Sequence, residues 1–567
     1  MSLRRSAVAL CAALATSVSL TAPAHAAIVD NPVVHSAPGA ALSLAPIGTY
    51  ETGIFDESAA EIVTYHAASQ RVLTVNAQSG QIDVLDISDP TEPVKVASVD
   101  GGAGTTINSV DVRADGLAVA TVEPATKTDA GTLLFFDAAA EQPVALGEVA
   151  VGALPDMVTI TADGAYALVA NEGEPAEDYS VDPEGSVSVV SLPETVTAAT
   201  DADVRTADFR AYNAPGALPE GVRVFGPEGT ESTVAQNLEP EYITVQGGTA
   251  YVSLQENNAL AVVDVETATV TDILPLGTVD HSVVPLDVSD RDDQINITTW
   301  PVKGHLMPDS IASYEVSGVT YIVTANEGDA RDWEGYSEEA RVKHFGDADR
   351  GIAPLCEDFN GMTAEEIADL QKDENLGRLT VTTADGYNEE RGCYDEIYSF
   401  GSRGFSIVDE NGERVFNSDD QFEQITALAS PENFNSNHKE ANLEGRSDDK
   451  GPEPEGVTLG EIDGRTYAFI GLERIGGIMV YDVTDPARAT FVTYVNNRDF
   501  TAPADSPQAG DLGAEGLVFI PAADSPNGEN LVVVGNEVSG TTTIFEITTA
   551  EVTGQSSVSA FSSLSSR

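Results

Sequence analysis

Short apolar runs follow one another along most of the chain, separated by turns rich in Gly, Asp and Asn. Such runs predict many short β-strands rather than helices. A clear example begins at Pro155–Val158, turns at Ala162–Gly164 and continues with a second run at Ala167–Ala170, which ends before Asn171. A third strand is expected at Ser186–Val190. This stretch predicts one antiparallel β unit.

The same unit recurs along the sequence. An acidic residue begins most copies: Glu61, Asp156, Glu241, Asp309, Glu455 and Glu515, with Ser109 in the second copy. Second strands end at Asn76, Glu123, Asn171–Glu172, Gln255–Glu256, Asn326–Glu327, Leu472–Glu473 and Asn536–Glu537. Because each unit can bury its faces only against its neighbours, the repeat predicts an all-β fold, a seven-bladed β-propeller of four-stranded antiparallel blades.

The last unit supplies only three strands and ends at Thr541–Ile547. The missing fourth strand is expected from the N-terminal run Leu42–Thr49, which would close the ring between the first and last blades. The predicted domain organisation is therefore a propeller over residues 27–552 with an insert at 329–403.

The repeat also predicts that the two faces of the propeller differ. In an antiparallel hairpin the start of one strand lies beside the end of the other, so both acidic series should lie on one face, around the channel mouth. Long loops are expected on that face at Thr206–Asn237, Leu276–Lys303, Asp329–Arg403 and Ser430–Lys450. Long loops on a rigid scaffold commonly carry function.

The two ends of the chain indicate an exported protein. Arg4 and Arg5 precede an apolar run at Ala7–Leu20 and a small-residue cleavage site at Ala24–Ala26, so residues 1–26 are predicted to be a signal peptide. That run is too short for a membrane span, and the tail at 553–567 is polar and Ser-rich, with no recognisable anchor. The expected localisation is secreted and extracellular.

The net charge of the chain limits the classes of partner that it can bind favourably. Asp and Glu number 92 against 28 Lys and Arg, a net charge of −64. Nucleic acid and anionic lipid are excluded as favourable partners, whereas cations are attracted. Solubility, or adaptation to salty surroundings, is the alternative explanation for the same charge. An extracellular ligand or protein partner is expected, of unknown identity.

Two cysteines lie in the insert. In an exported chain Cys356 and Cys393 predict a disulfide rather than a metal site. Between them Thr363 is expected to cap a helix with Ile367 and Leu370 as its apolar positions, and Gly377 just past its end.

The acidic face predicts a divalent-cation site, because carboxylate oxygens suit Ca²⁺ or Mg²⁺, with calcium favoured. The candidate ligands are Glu61, Asp156, Glu172, Glu241, Glu256, Asp309, Glu327, Asp329, Glu455, Glu473, Glu515 and Glu537. Alternatively, these side chains cap backbone N–H groups or pair with Arg331, Arg403, Arg446 and Arg474. A further acidic loop contains Asp287, Asp290, Asp292 and Asp293, and it lacks the Gly and the terminal Glu of a calcium loop.

Catalysis is a second hypothesis. The sequence contains no Gly-x-Ser-x-Gly elbow, His-Glu-x-x-His motif or P-loop, so no catalytic residue can be named. A metal-dependent phosphoesterase could hold metal on the carboxylates, with His281 and His305 nearby, and grip phosphate with Arg331, Arg446, Lys450 and Arg474. A third hypothesis is a non-catalytic adhesive or matrix protein.

Several stretches identify a family resemblance: Val169–Pro175, Thr324–Asp332, Arg446–Gly456, Gly471–Gly477 and Asn536–Thr542. Together they resemble the choice-of-anchor I family over nearly the whole mature chain. The resemblance implies an extracellular β-propeller, often attached to the surface by varied C-terminal anchors. Some members carry the name alkaline phosphatase. Members often have an Asp-rich calcium loop after a Leu-Gly-Arg-Leu motif; here Leu376–Leu379 is followed by Asp385–Cys393, so that loop is not implied.

Overall fold

The computed structural model describes residues 28–227, 229 and 232–550. The predicted signal peptide and the Ser-rich tail lie outside these residues. The described chain is predominantly β and is built mainly from four-stranded antiparallel sheets, which confirms the predicted all-β class.

Seven sheets of the described chain follow the repeat, numbered here in chain order. The first sheet consists of Val63–His66, Arg71–Asn76, Gln81–Asp86 and Val94–Asp100, and the second of Thr106–Val112, Leu117–Glu123, Ala130–Asp137 and Ala145–Ala153. The third consists of Pro155–Ile160, Tyr166–Asn171, Ser186–Ser191 and Val204–Asp208, and the fourth of Pro240–Gln246, Thr249–Leu254, Ala259–Asp264 and Thr269–Pro275. The fifth sheet consists of Ile311–Val316, Val319–Ala325, Phe405–Asp409 and Arg414–Asn417. The sixth consists of Pro454–Ile462, Arg465–Leu472, Ile478–Asp482, Thr490–Asn496 and Val33–Ser36. The seventh consists of Ala514–Ile520, Asn530–Asn536, Thr541–Thr549 and Leu42–Glu51.

The first strands of successive sheets contact one another in chain order, and the first strand of the seventh sheet contacts that of the first. The sheets therefore form a closed ring around a central cavity. Apolar faces of neighbouring sheets pack together: Leu73 and Val84 of the first sheet, for example, cluster with Val110 and Phe136 of the second. Burial of these faces is the main stabilising contribution.

The ring closes through an N-terminal strand, as predicted. Leu42–Glu51 pairs antiparallel with Thr541–Thr549, so the seventh sheet combines the two ends of the described chain. Leu44 lies opposite Ile547 and is buried. A second N-terminal strand, Val33–Ser36, pairs with Thr490–Asn496 at the edge of the sixth sheet, and the sequence analysis did not identify it.

Two of the long loops share a sheet of their own. It joins Thr278–Asp280 and Lys303–His305 of one loop with Glu339–Arg341, Thr380–Thr382 and Tyr398–Ser399 of the insert. Two small hairpins complete the insert: Asp332–Trp333 with Tyr336–Ser337, and Tyr387–Asn388 with Cys393–Tyr394. The insert therefore packs on its neighbouring loop through a common hydrophobic cluster.

A disulfide joins Cys356 to Cys393, with their Cα atoms 5.0 Å apart. Between them the helix Ala364–Leu370 begins after Thr363, whose side chain and backbone form a reciprocal cap with Glu366. The helix ends earlier than expected, because Gly377 lies in the separate turn Leu376–Arg378.

Other helical segments are short. Gln421–Ala429, the longest helix of the described residues, was not predicted; Asp420 precedes it and makes no side-chain cap. The remaining helix is Val234–Asn237. The 3₁₀ turns are Ala67–Ser69, Ala77–Ser79, Asp201–Asp203, Arg210–Asn213, Val342–His344, Phe359–Gly361, Leu376–Arg378, Pro431–Asn433 and Pro507–Ala509.

The closing strand generates a stability prediction. Replacing Leu44 with Ala should lower the free energy of unfolding by about 2–5 kcal/mol, because it leaves a cavity against the last sheet. The neighbouring Ser43 points to solvent, so Ser43→Ala should change that free energy by less than about 0.5 kcal/mol. Denaturant unfolding followed by circular dichroism measures both; equal losses would contradict the assigned register.

Candidate functional site in the central cavity

A β-bulge directs the acidic residue of several first strands. Asp156, Glu241, Glu455 and Glu515 each lie at a point where two residues of the first strand oppose one of the second. The extra residue breaks the regular alternation and re-aims its side chain. In this position the carboxylates line the central cavity of the ring.

Acidic residues also follow the second strands. Asn171 and Asn536, whose side chains are buried, end two of these strands, and the buried Asn326 directly follows a third. The Asn171 and Asn536 amides donate to oxygens of the adjacent third strand. With the strand end held in this way, the next residue, such as Glu327 or Glu537, emerges at the cavity.

The cavity has a volume of about 730 Å³. Eleven of the twelve predicted metal ligands line it: Glu61, Asp156, Glu172, Glu241, Asp309, Glu327, Asp329, Glu455, Glu473, Glu515 and Glu537. Glu57, which was not predicted, makes the twelfth acidic lining residue, whereas Arg474 is the one cationic side chain among the described lining residues. The predicted convergence on one face therefore agrees with the structure.

Glu256 is the predicted ligand that does not line the cavity. The second strand of its sheet ends at Leu254, so Gln255 occupies the lining position and donates to Glu327 Oε2 over 2.9 Å. One residue further on, Glu256 is buried behind it. The Asn-Glu pattern did not indicate that Gln255 would line the cavity, because which residue lines it depends on where the second strand ends.

Arg331 and the two predicted histidines lie among the loops and do not line the cavity. Arg331 is buried and pairs with Glu239 over 2.7 Å, away from the cavity lining. His305 contacts Asp385 over 3.1 Å, and His281 is buried beside it in the loop sheet. Neither histidine lines the cavity, so the structure does not bring them to the carboxylates.

The other predicted cations gather around Glu453, a fully buried residue that the sequence analysis missed. Arg446 and Arg474 contact its carboxylate over 2.7 and 2.9 Å, and Lys450 over 3.7 Å. Although burial raises the pKa of Glu453, these three cations together lower it to about 2. Lys450 also contacts Glu327 over 2.8 Å and Asp329 over 3.1 Å. This side of the cavity is electrically compensated.

The rest of the cavity is not compensated. Within the described residues, eight of the eleven predicted ligands in the lining make no ion pair with Lys, Arg or His: Glu61, Asp156, Glu172, Glu241, Asp309, Glu455, Glu515 and Glu537. One oxygen on each of Glu241, Glu455 and Glu515 is buried without a hydrogen-bond partner. Glu241 is only 7% exposed. Buried charge without a partner is costly, so these groups require protons or a cation.

Burial and crowding hold these carboxyls toward the protonated form. Burial raises the pKa of Glu61 to about 8, and the charges of Glu537 and Asp156 add to the rise. Burial, with Glu473 nearby, raises the pKa of Glu537 to about 7. Burial and neighbouring carboxylates also raise the pKa of Glu515 well above its usual range.

Three carboxylates approach closely enough to share an ion. One oxygen each from Glu61, Glu515 and Glu537 lie within 4.8 Å of one another. Glu61 precedes the first sheet and the other two belong to the seventh, so the group lies where the ring closes. The sheets approach closely there: a Cβ at Gly535 would lie 1.9 Å from the Glu61 carbonyl oxygen.

Two other close groups are less suited to a metal ion. Glu327, Glu453 and Glu473 are already neutralised by Lys450, Arg446 and Arg474. In the group of His438, Glu473 and Glu537, Arg474 donates to the Nδ1 atom of His438 over 2.8 Å.

Comparison with known proteins identifies the family. The choice-of-anchor I domain profile matches residues 61–486, which is most of the chain. The chain belongs to the choice-of-anchor I family. This confirms the resemblance seen in the sequence, and the matched range includes the insert, the first five ring sheets and the first three strands of the sixth.

Two curated proteins are similar to this choice-of-anchor I domain. Gigasin-3a from Magallana gigas is 29% identical over 194 residues, which are 32% of this chain and 68% of that protein. The mesenchyme-specific cell surface glycoprotein of Strongylocentrotus purpuratus is 28% identical over 285 residues, 46% of this chain. The chain thus spans 36% of the glycoprotein's length.

Solved structures show distant likeness. The β-propeller domain of Cps50 (Swd1) from Myceliophteria thermophila is 8% identical with a TM-score of 0.38, covering 88% of this chain and 99% of that chain. Kuenenia stuttgartiensis hydrazine synthase is 12% identical with a TM-score of 0.42, covering 88% and 97%. Among the described residues, no helix has the length and apolar character needed to cross a membrane.

The raised pKa values predict the pH dependence of this domain. Folded Glu61 keeps its proton up to about pH 8, whereas the unfolded chain loses it near 4.5. The folded state then binds more protons than the unfolded state, so stability falls as pH rises between these values. We expect the metal-free thermal midpoint to be lower at about pH 8 than at about pH 5.5. Differential scanning fluorimetry in chelator measures it.

The control for this prediction is Glu61→Gln, which removes one titrating group and should flatten the pH dependence. Calcium should raise the midpoint more at the higher pH, because protons compete with the metal for the same oxygens. A midpoint that rises across this range in chelator would contradict the interpretation.

Proposed function

We propose that this protein is an extracellular seven-bladed β-propeller that binds a divalent cation, calcium, in its central cavity. We further propose that it presents the long loops of that face to a ligand or partner. The observation that carries the proposal is the cavity itself, in which eight carboxylates without an ion-pair partner, three of them with buried unpaired oxygens, surround one space.

The blade count follows from the ring. Seven sheets each place their first strand against the next, and the seventh returns to the first, so we assign one blade to each sheet. The Val33–Ser36 strand widens the sixth blade without adding another. In this ring the acidic residues at the strand ends gather at one opening of the central cavity.

Calcium fits the donor set better than softer metals. The lining offers carboxylate oxygens and no thiolate, which suits Ca²⁺ or Mg²⁺. Ca²⁺ tolerates irregular geometry and more ligands than Mg²⁺, which favours calcium in an open cavity of this size. We place it at Glu61, Glu515 and Glu537, because their oxygens are close together and lack a protein cation.

The extracellular placement rests on three observations. The sequence predicts a signal peptide, the described chain contains a disulfide, and a relative is named a cell surface glycoprotein. The acidic mouth would repel nucleic acid and anionic lipid. The partner we propose is therefore a protein or another extracellular ligand, which also accommodates an adhesive or matrix role.

No observation favours the phosphoesterase hypothesis. Arg331, Arg446, Lys450 and Arg474 would grip phosphate only if they were free, and each one contacts buried carboxylates. Releasing them would leave those carboxylates unpaired in the interior, at a cost of several kcal/mol each. The cation site requires no such rearrangement.

Calcium titration tests the proposal. Calorimetry on the chelator-treated protein should give binding heat, and Glu515→Gln should weaken the affinity by about tenfold or more, or about 1.4 kcal/mol. Gln resembles the protonated Glu515, so the variant is expected to fold. Glu529→Gln removes an exposed charge just before the second strand of the same sheet and should leave affinity unchanged. Equal affinity in both variants would refute the assigned ligands.

A further inference from the structure

A second acidic loop lies outside the central cavity. Asp287 is fully buried, and its carboxylate accepts the backbone N–H of Asn296 over 2.6 Å, which folds the loop back on itself. Asp292 accepts the Gln294 N–H and the Asn296 amide, each over 3.3 Å. Asp293 has φ 56°, so it occupies the left-handed bend for which a calcium loop uses Gly.

The carboxylate that this loop lacked in sequence comes from a distant part of the chain. Glu444, between the fifth and sixth sheets, is 2% exposed, and its Oε1 atom has no hydrogen-bond partner. Its carboxyl faces Asp287, Asp292 and Asp293, and the Gln294 N–H donates to it. Burial and these three charges raise the pKa of Glu444 to about 8.

A second unpaired oxygen lies on the same segment. Asn435 is fully buried, and its Oδ1 atom has no partner. The orientation of this amide is fixed, because its Nδ2 donates to Glu423 Oε1 over 2.9 Å and to Ser447 Oγ over 3.0 Å. The Glu423 carboxylate in turn accepts the Asp287 backbone N–H over 3.0 Å, so Asn435 is linked to the acidic loop through Glu423.

No side-chain cation neutralises the cluster within the described residues. Asp287, Asp292, Asp293 and Glu444 form no ion pair, whereas the adjacent Asp290 is paired with Arg378 over 2.8 Å. Arg403 is the nearest buried cation, and its side chain is occupied by Glu423 over 2.7 Å and by backbone carbonyls.

We propose that Asp287, Asp292, Asp293 and Glu444 hold a second divalent cation, separate from the central cavity. Oxygen-only donors again favour calcium. The ion would join the loop that follows the fourth sheet to the loop that precedes the sixth, which are about 150 residues apart in sequence. This proposal does not depend on the central site, because none of its residues lines that cavity.

Counting bound calcium tests the second site. The full mature chain, treated with chelator, is dialysed against calcium chloride, and bound metal is measured by atomic emission. We expect Glu444→Gln to bind one equivalent less than the wild type. Glu440→Gln, an exposed residue of the same loop, should bind as the wild type does.

The two proposed sites fail separately. Glu515→Gln removes only the central equivalent, and its combination with Glu444→Gln should remove both. Hydrogen exchange supplies a local readout: calcium should slow exchange at 287–296 in the wild type but not in Glu444→Gln. If Glu444→Gln does not fold by circular dichroism, the partly exposed Asp292→Asn is used with the same two readouts.

Unchanged stoichiometry, affinity and exchange in Glu444→Gln, relative to Glu440→Gln, would overturn the proposal. A wild type that binds a single equivalent, which Glu515→Gln loses and Glu444→Gln retains at wild-type affinity, would do the same. Wild-type binding of a single equivalent that Glu444→Gln abolishes would support this site and refute the central one.

Discussion

Antiparallel pairing of Leu42–Glu51 with Thr541–Thr549 closes the ring, and the rest of the structure depends on that closure. Without it, the first and seventh sheets would each expose an apolar face that the neighbouring sheet now covers. Closure also brings Glu61 from the start of the first sheet to Glu515 and Glu537 of the last. The same constraint thus stabilises the fold and crowds its carboxylates.

The two sides of the cavity differ in how the repulsion between its carboxylates is relieved. On one side Arg446, Lys450 and Arg474 surround Glu453, and the ion pairs are complete. On the other side burial and, in addition, the neighbouring carboxylates raise the pKa values of Glu61 and Glu515. A solvated acidic surface does not require buried carboxylates, and burying them without a partner lowers stability. The asymmetry separates a structural ion-pair network from a site that can take up a cation.

The acidic loop at Asp287–Asn296 repeats this arrangement on a smaller scale. A bend held by backbone N–H groups presents carboxylates, and Glu444 approaches from a separate loop. In both places the clustered carboxylates belong to residues that lie far apart in the chain. Metal binding there would tie together segments that the sheets alone leave separate, which couples cation affinity to tertiary stability.

The sequence by itself determined the repeat, the closing strand and the acidic face, because strand periodicity and turn residues are local properties. It also located most of the cavity carboxylates, such as Asp156 and Glu515, through their fixed place in the unit. Only the tertiary structure placed Gln255 rather than Glu256 at the cavity, since the end of a strand decides which residue faces inward. It alone buried Glu453 among cations and brought Glu444 to Asp287. Those contacts join residues far apart in sequence, and local pattern carries no information about such pairings.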